Sequence, residues 1–333
     1  MERVGLDGQT RGDKLMVGKL TPDWMLSASR IPVLLNASPY QTQNDLLAEM
    51  IRIDEGGEPT RIPPNENMAW GDMLEPVVLT EAAKRLGLTN VELEFSEAVK
   101  HDHLPLAASL DGVGCGKGDI IADMNKGIYT PGAHRVDISG LGCLEAKTTQ
   151  APPEDLPPAY RGPLQLQAQM MCAGYKWGAV CVLYRGSELR TFVYQADPAV
   201  QSRIMQAVHD FEQRRKNKDW YEPVSAEDAA TAYSRVDDAA PPIELASEEA
   251  RDWLNQLVVA KRNKAAAEQD IDEASAAIMQ MMGSHKEAIG TVGNQMIKVT
   301  WPERRFKAQP ERLVPAKPES VVRQKTLTIK ELN

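Results

Sequence analysis

The residues with the most chemical content are Asp111, Glu145 and Lys147. Glu145 and Lys147 stand two apart in the apolar-flanked run LEAKTT, residues 144–149. In a strand, alternate side chains share a face, so this spacing turns a carboxylate and an amine the same way while Leu144 and Ala146 turn the other. Asp111 ends the run ASLDG, at the close of another expected strand. If the two strands pair, Asp111 and Glu145 can share one divalent cation, with the Ala146 carbonyl as a third ligand. Oxygen donors of this kind suit Mg2+ or Mn2+ rather than Zn2+. A cation so held supports phosphodiester hydrolysis, because it acidifies bound water and neutralises charge on the phosphoryl group. Lys147 can orient or help deprotonate the water, or act as a fixed cation at the phosphate. Glu75, in the helical run GDMLEP, can extend the site toward a water or a second metal. Each feature alone has a plainer reading: an E-x-K pair as a salt bridge, a D-G as a turn, Glu75 as a solvated helix face. The set, in one chain order, points to metal-dependent hydrolysis.

These residues need a scaffold, and the hydrophobic pattern supplies one. Residues 22–36 read as a short helix starting at Thr21, and 41–53 as a second. Residues 67–86 carry a helical period through Met73, Leu74, Val77, Val78, Ala82 and Leu86, with Pro76 inside it. The period then changes. Residues 91–95 alternate, 104–113 read as a strand, and 114–118 as a glycine-rich turn. Residues 120–122 and 136–138 flank a loop, and 143–148 form a short buried strand. A helix over 160–175, a hairpin of 179–184 with 189–194, and a helix over 198–218 follow. This order indicates an α/β or α+β fold with a central mixed β-sheet flanked by helices over residues 20–220. Residues 1–19 read as a loose arm without the apolar core of a secretory signal. Residues 221–245, rich in Ala, Asp and Pro, read as a linker. Residues 246–333 read as a C-terminal appendage: one long amphipathic helix, or a helical pair, ending near Gly283, and a basic β tail.

The net charge of −9 argues against a protein that simply coats nucleic acid, so any DNA contact must be a local basic patch. One candidate is WPERRFK, where Arg304, Arg305 and Lys307 can meet phosphates. Four cysteines without a CxxC pair suggest reduced thiols in a cytoplasmic protein, not an iron–sulfur cluster. No run of about 18 apolar residues suggests a membrane span. His101 and His103 read as strand-end residues.

Together these segments resemble the PD-(D/E)XK nucleases, and among them the YqaJ-type viral recombinase nucleases related to lambda exonuclease. LSASRIPVLLNASPY (26–40), AWGDMLEP (69–76), ASLDG ending at Gly112, LEAKTT (144–149) and GPLQLQAQMMCAG (162–174) match in order. The resemblance implies a restriction-endonuclease-like core with catalytic Glu75, Asp111, Glu145, Lys147 and Gln165. It also implies a role for Ser29 in holding a DNA 5′-phosphate, with Arg30 beside it as a candidate cation. Leu110 stands where the motif's name has proline, and the arginine expected shortly before the serine has no clear equivalent. The 34-residue step from Asp111 to Glu145 holds Asp119, Asp123 and Asp137, which read as part of an inserted solvated hairpin. The implied activity is a Mg2+-dependent 5′→3′ exonuclease acting on double-stranded DNA ends and leaving 3′ single-stranded tails for recombination. The implied partners are a single-strand DNA annealing protein and further copies of the chain in a trimeric ring. The rivals are a PD-(D/E)XK endonuclease or repair nuclease of other polarity, and a catalytically inactive DNA-end-binding module.

Overall fold

The computed structural model describes residues 21–303 except 62 and 64. The N-terminal arm (1–19), Arg304, Arg305, Lys307 and the rest of the basic tail lie outside the described residues. The described chain forms two units that part between Ser234 and Arg235.

The first unit opens with β1 (Leu26–Ser27), a 3-10 turn at Ala28–Arg30 and the short α1 (Ile31–Leu34). The single helix expected over 22–36 is therefore broken into three pieces. Leu26, Ala28 and Ile31 are all buried, so apolar spacing cannot distinguish a helix from a buried extended segment here. Pro32 also sits at the start of α1, where it is tolerated only because no helix precedes it. The helix α2 (Gln43–Asp54) begins at a reciprocal cap: the Thr42 side chain accepts the Asp45 N–H, and the Asp45 carboxylate accepts the Thr42 N–H. Next, α3 (Glu66–Leu86) starts at an Asn65 cap and stops at Gly87, whose left-handed φ of 66° ends the helix. Pro76 lies inside it without ending it.

The strands then follow: β2 (Thr89–Glu92), β3 (Val99–Lys100), β4 (Leu106–Ala108), β5 (Gly112–Gly116), β6 (Asp119–Ile121), β7 (Ile128–Tyr129), β8 (Arg135–Asp137) and β9 (Gly140–Thr149). After α4 (Pro163–Ala173) come β10 (Trp177–Tyr184), β11 (Glu188–Gln195), α5 (Pro198–Asn217) and α6 (Ala226–Ala232). Six strands make the central sheet in the order β2-β5-β9-β10-β11-β7. It is mixed: β9 and β10 run parallel, while β5 with β9 and β10 with β11 run antiparallel. The expected mixed α/β core is what forms.

The strand expected over 104–113 is split, and of the glycine-rich run expected as a turn, residues 114–116 are strand while 117 and 118 turn toward β6. A Cβ at Gly116 would run into the Ile138 carbonyl oxygen, so β5 packs too closely for a larger residue there. The glycines read as flexibility in sequence are clearance in structure. β6 and β8 form a separate two-stranded ribbon, the expected inserted hairpin. Its acids have local partners: Asp119 pairs with Arg135, Asp123 accepts the Asn125 N–H, and Asp137 accepts the Ser139 N–H.

Strand alternation divides the core into two layers. Val180, Val182 and Tyr184 of β10 join the cluster with α1, α2, α4 and α5. Trp177, Ala179 and Cys181 face the other way, into the cluster with α3. All four cysteines are free thiols. Burial raises Cys172 to about 12 and pushes Cys143 and Cys181 higher still.

The first unit reaches beyond residue 220, where the linker was expected to begin. Asp228 of α6 is buried and accepts hydrogen bonds from Thr42 Oγ1 (2.5 Å), Asn44 Nδ2 (3.1 Å) and the Val224 N–H (2.9 Å). Residues 233–247 contain no helix or strand. In the second unit, α7 (Glu248–Met282) is the expected long helix, and β12 (Glu287–Val292) pairs with β13 (Gln295–Thr300) as a hairpin. No helix among the described residues is long and apolar enough to cross a membrane.

Candidate active site

The site forms where two strands separate. β5 and β9 are paired from Gly116 opposite Gly140 to Gly112 opposite Leu144, and there the ladder stops. β9 continues to Thr149, so Glu145 onward has no β5 neighbour. Asp111 sits just outside the last pair, and its Oδ2 accepts the Ala146 N–H at 2.9 Å. A carboxylate thus takes a backbone donor that the departing strand has left behind.

Glu145 and Lys147 project on the α4 side of β9. Glu145 is 1% exposed, and Lys147 Nζ donates to its Oε1 at 2.5 Å. The same ammonium donates to Gln165 Oε1 of α4 at 3.2 Å. From α4 a second glutamine also reaches in: Gln169 Nε2 donates to Glu145 Oε2 at 2.5 Å and to the Ser109 carbonyl at 3.3 Å. Gln169 is a site residue that reading the motif overlooked. Its signal was its position four after Gln165, which puts both on one helical face. α4 is placed by Gly162, where φ is 112° and a Cβ would come 2.6 Å from Val180. On the other side of the opening, α3 lays Gly71, Asp72 and Glu75 along a cleft of about 440 Å³ that Ala146, Lys147 and Thr148 also line.

Electrostatics tie these groups together. Burial first, then the charges of Glu145 and Glu75, push the Asp111 carboxyl well above the usual range, against the pull of Lys147 and the Ala146 N–H. Glu75 is raised by burial and by Glu145 and Asp72. For Lys147, burial works against the ammonium, but Glu145, Asp111 and Glu75 outweigh it and raise its pKa. Three carboxyl groups crowd one ammonium, and Glu145 raises both Asp111 and Glu75. Hard oxygen donors so crowded fit a divalent cation, whose binding would displace a proton. Asp111 accepts the N–H of Ala146, the residue next to Glu145, so these two carboxylates and the Ala146 carbonyl are the candidate donors. Among the described residues, no three His, Cys, Asp or Glu side chains close into a metal cluster, and both oxygens of Glu145 are engaged by Lys147 and Gln169.

Glu75, Asp111, Glu145, Lys147 and Gln165 are therefore brought together. Ser29 and Arg30 are not joined to them by any hydrogen bond among the described residues. Ser29 Oγ bonds Ser27 Oγ at 2.7 Å, and Arg30 is engaged by Gln41 (2.7 Å) and Glu49 (3.2 Å). His101 Nδ1 accepts the N–H groups of His103 and Leu104, so that ring nitrogen organises a strand end.

Residues 20–176 match the model of the YqaJ-like viral recombinase domain, a span that contains every residue of the site. Among solved structures, the chain is similar to an alkaline exonuclease (LHK-Exo) from Laribacter hongkongensis, with a TM-score of 0.43 and 18% identity, covering 59% of this chain and 90% of that one. LHK-Exo in complex with dAMP gives a TM-score of 0.42 at the same identity and coverage. SSO0001 gives a TM-score of 0.36 and 11% identity over 65% of this chain and 87% of its own. No curated protein sequence matches the chain.

Proposed function

We propose that this chain, which carries a YqaJ-like viral recombinase domain over residues 20–176, is a Mg2+-dependent exonuclease that degrades one strand of a DNA duplex from its 5′ end. The observation that carries the nuclease reading is the convergence of Glu75, Asp111, Glu145 and Lys147 where β5 leaves β9. Asp111, Glu145 and the Ala146 carbonyl would hold Mg2+ or Mn2+, which when bound acidifies water and neutralises charge on the phosphate. Lys147, whose pKa is raised, keeps its proton at neutral pH and so serves as a fixed cation beside the phosphate rather than as a free base. Gln165 holds that ammonium from α4 and limits the directions in which it can point. Glu75, with a raised pKa, is better matched than an ordinary carboxylate to take a proton from water near neutrality.

The 5′→3′ direction, the 3′ single-stranded product, the trimeric ring and an annealing-protein partner are supported by the family resemblance. Ser29 and Arg30 are the residues proposed for the 5′-phosphate, which requires Arg30 to exchange Gln41 and Glu49 for the DNA end. The test is digestion of linear duplex DNA labelled at either the 5′ or the 3′ terminus, with Mg2+ or with EDTA. The proposal expects Mg2+-dependent release of the 5′ label first, faster from 5′-phosphate than from 5′-hydroxyl ends. Release from the 3′ end, or cutting of closed circles, would favour a nuclease of other polarity or an endonuclease. Binding to ends without cleavage would favour an inactive end-binding module.

A further inference from the structure

The α4 face that meets β9 has a matched spacing. Gln165 and Gln169 lie four apart on a helix, a rise of about 6 Å. Glu145 and Lys147 lie two apart on a strand, a rise of about 6.6 Å. The two elements therefore pair residue by residue: Gln165 with Lys147, and Gln169 with Glu145. Gln169 does more than its neighbour. It is fully buried, and its single amide nitrogen bonds both Glu145 Oε2 and the carbonyl of Ser109, two residues before Asp111.

The orientation of that amide is fixed by its surroundings. Turned over, it would set its oxygen against a carboxylate and a carbonyl, both acceptors. As it stands, Gln169 Oε1 is buried without a hydrogen-bond partner among the described residues. Buried polar atoms are nearly always paired, so the amide bears a cost that a Leu or Met in its place would avoid. Two other buried residues of the same helix, Leu166 and Met170, are of that kind.

We infer that Gln169 is a positioning residue: its amide clamps Glu145 to the Ser109–Asp111 corner and so sets the separation of the two carboxylates proposed to share a cation. The inference rests on the reading of Asp111 and Glu145 as cation ligands. Lys147 alone cannot fix Glu145, because it reaches only Oε1 from the same strand. Gln169 anchors the other oxygen from a different element.

The experiment is calorimetric titration of Mn2+ into the metal-free full-length protein, without DNA, for the wild type and for Gln169→Leu, Gln169→Asn and Glu145→Gln. Thermal unfolding of each variant identifies those that fold cooperatively. Glu145→Gln should lose the site. Gln169→Leu should bind Mn2+ about 10–100-fold more weakly. Gln169→Asn keeps the amide but falls one methylene short, so it should show the same loss, and it decides the matter if the Leu variant does not fold. In both Gln169 variants, raised Mn2+ should restore most of the cleavage rate, since the defect lies in holding the ligand. Wild-type affinity in folded Gln169 variants, with loss in Glu145→Gln, would overturn the inference and leave the proposed function standing. Wild-type affinity in Glu145→Gln would overturn both.

Discussion

Asp111 carries the largest electrostatic burden in the site. Its carboxyl is raised by burial and by Glu145 and Glu75, so the folded chain holds its proton more tightly than the unfolded chain does. The stability associated with that proton is full below the unfolded pKa of about 3.9 and is lost as pH rises through the higher folded value. Metal-free protein should therefore become less stable as pH rises from about 4 through the raised folded pKa of Asp111. Asp111→Asn should unfold at a higher temperature than wild type in EDTA at about pH 8, while Mg2+ should stabilise wild type and not the variant. Melting curves at about pH 5 and 8 check this, and a variant less stable than wild type at the higher pH would contradict it. Lys147→Ala should reduce cleavage by about 10²–10³-fold while leaving duplex binding nearly unchanged, because a fixed cation at the phosphate acts mainly in the transition state. Single-turnover rates and a binding isotherm separate the two effects, and a near-normal rate would remove Lys147 from the mechanism. At this scale, the alternation Glu145–Lys147 and the isolated Asp111 were legible, since period two fixes which side chains share a face. Gln169 was legible only in part: its spacing from Gln165 sets it on the same helical face, but its bond to Glu145 arises where that helix crosses the strand.

At the scale of elements, the long helices could be read from their apolar spacing and buried extended segments could not. α2 and α3 have that spacing, and side chains of Thr42 and Asn65 cap their starts, whereas the start expected at Thr21 begins no helix. β1, α1 and Ala28 of the 3-10 turn are buried, and the stretch carries no period that separates it from one helix. The run Gly112–Gly116 has the composition of a turn but the surroundings of a packed strand. The composition of residues 221–234 also concealed a contact, since Asp228 is buried on α2. Asp228→Ala leaves the donors of Thr42, Asn44 and Val224 without their acceptor, and should cost about 2–3 kcal/mol of stability in urea unfolding. Activity per folded molecule should not change, because Asp228 makes no bond to the site. A loss below about 0.5 kcal/mol would place α6 outside the cooperative unit.

At the scale of the whole molecule, every residue of the proposed site lies in the first unit. The second adds a 35-residue helix on which Trp253, Leu254, Ile271 and Met281 are exposed. A chain ending at Ser234 should retain Mg2+-dependent cleavage, and one ending at Tyr221 should be less stable because it lacks Asp228. We propose that the second unit and its tail aid DNA engagement or assembly. The shorter chain should then bind duplex more weakly than the full chain, and the difference should shrink as salt rises. Equal affinity at low salt would contradict that role. The claim on which all of this depends is that Asp111 and Glu145 share a cation at the parting of β5 and β9. The most direct measurement is the anomalous scattering of Mn2+ in crystals of the full-length protein. A peak is expected within about 2.0–2.6 Å of an oxygen of Asp111, an oxygen of Glu145 and the Ala146 carbonyl. A protein that cleaves DNA with Mn2+ while the peak lies elsewhere, or touches neither carboxylate, would contradict that claim.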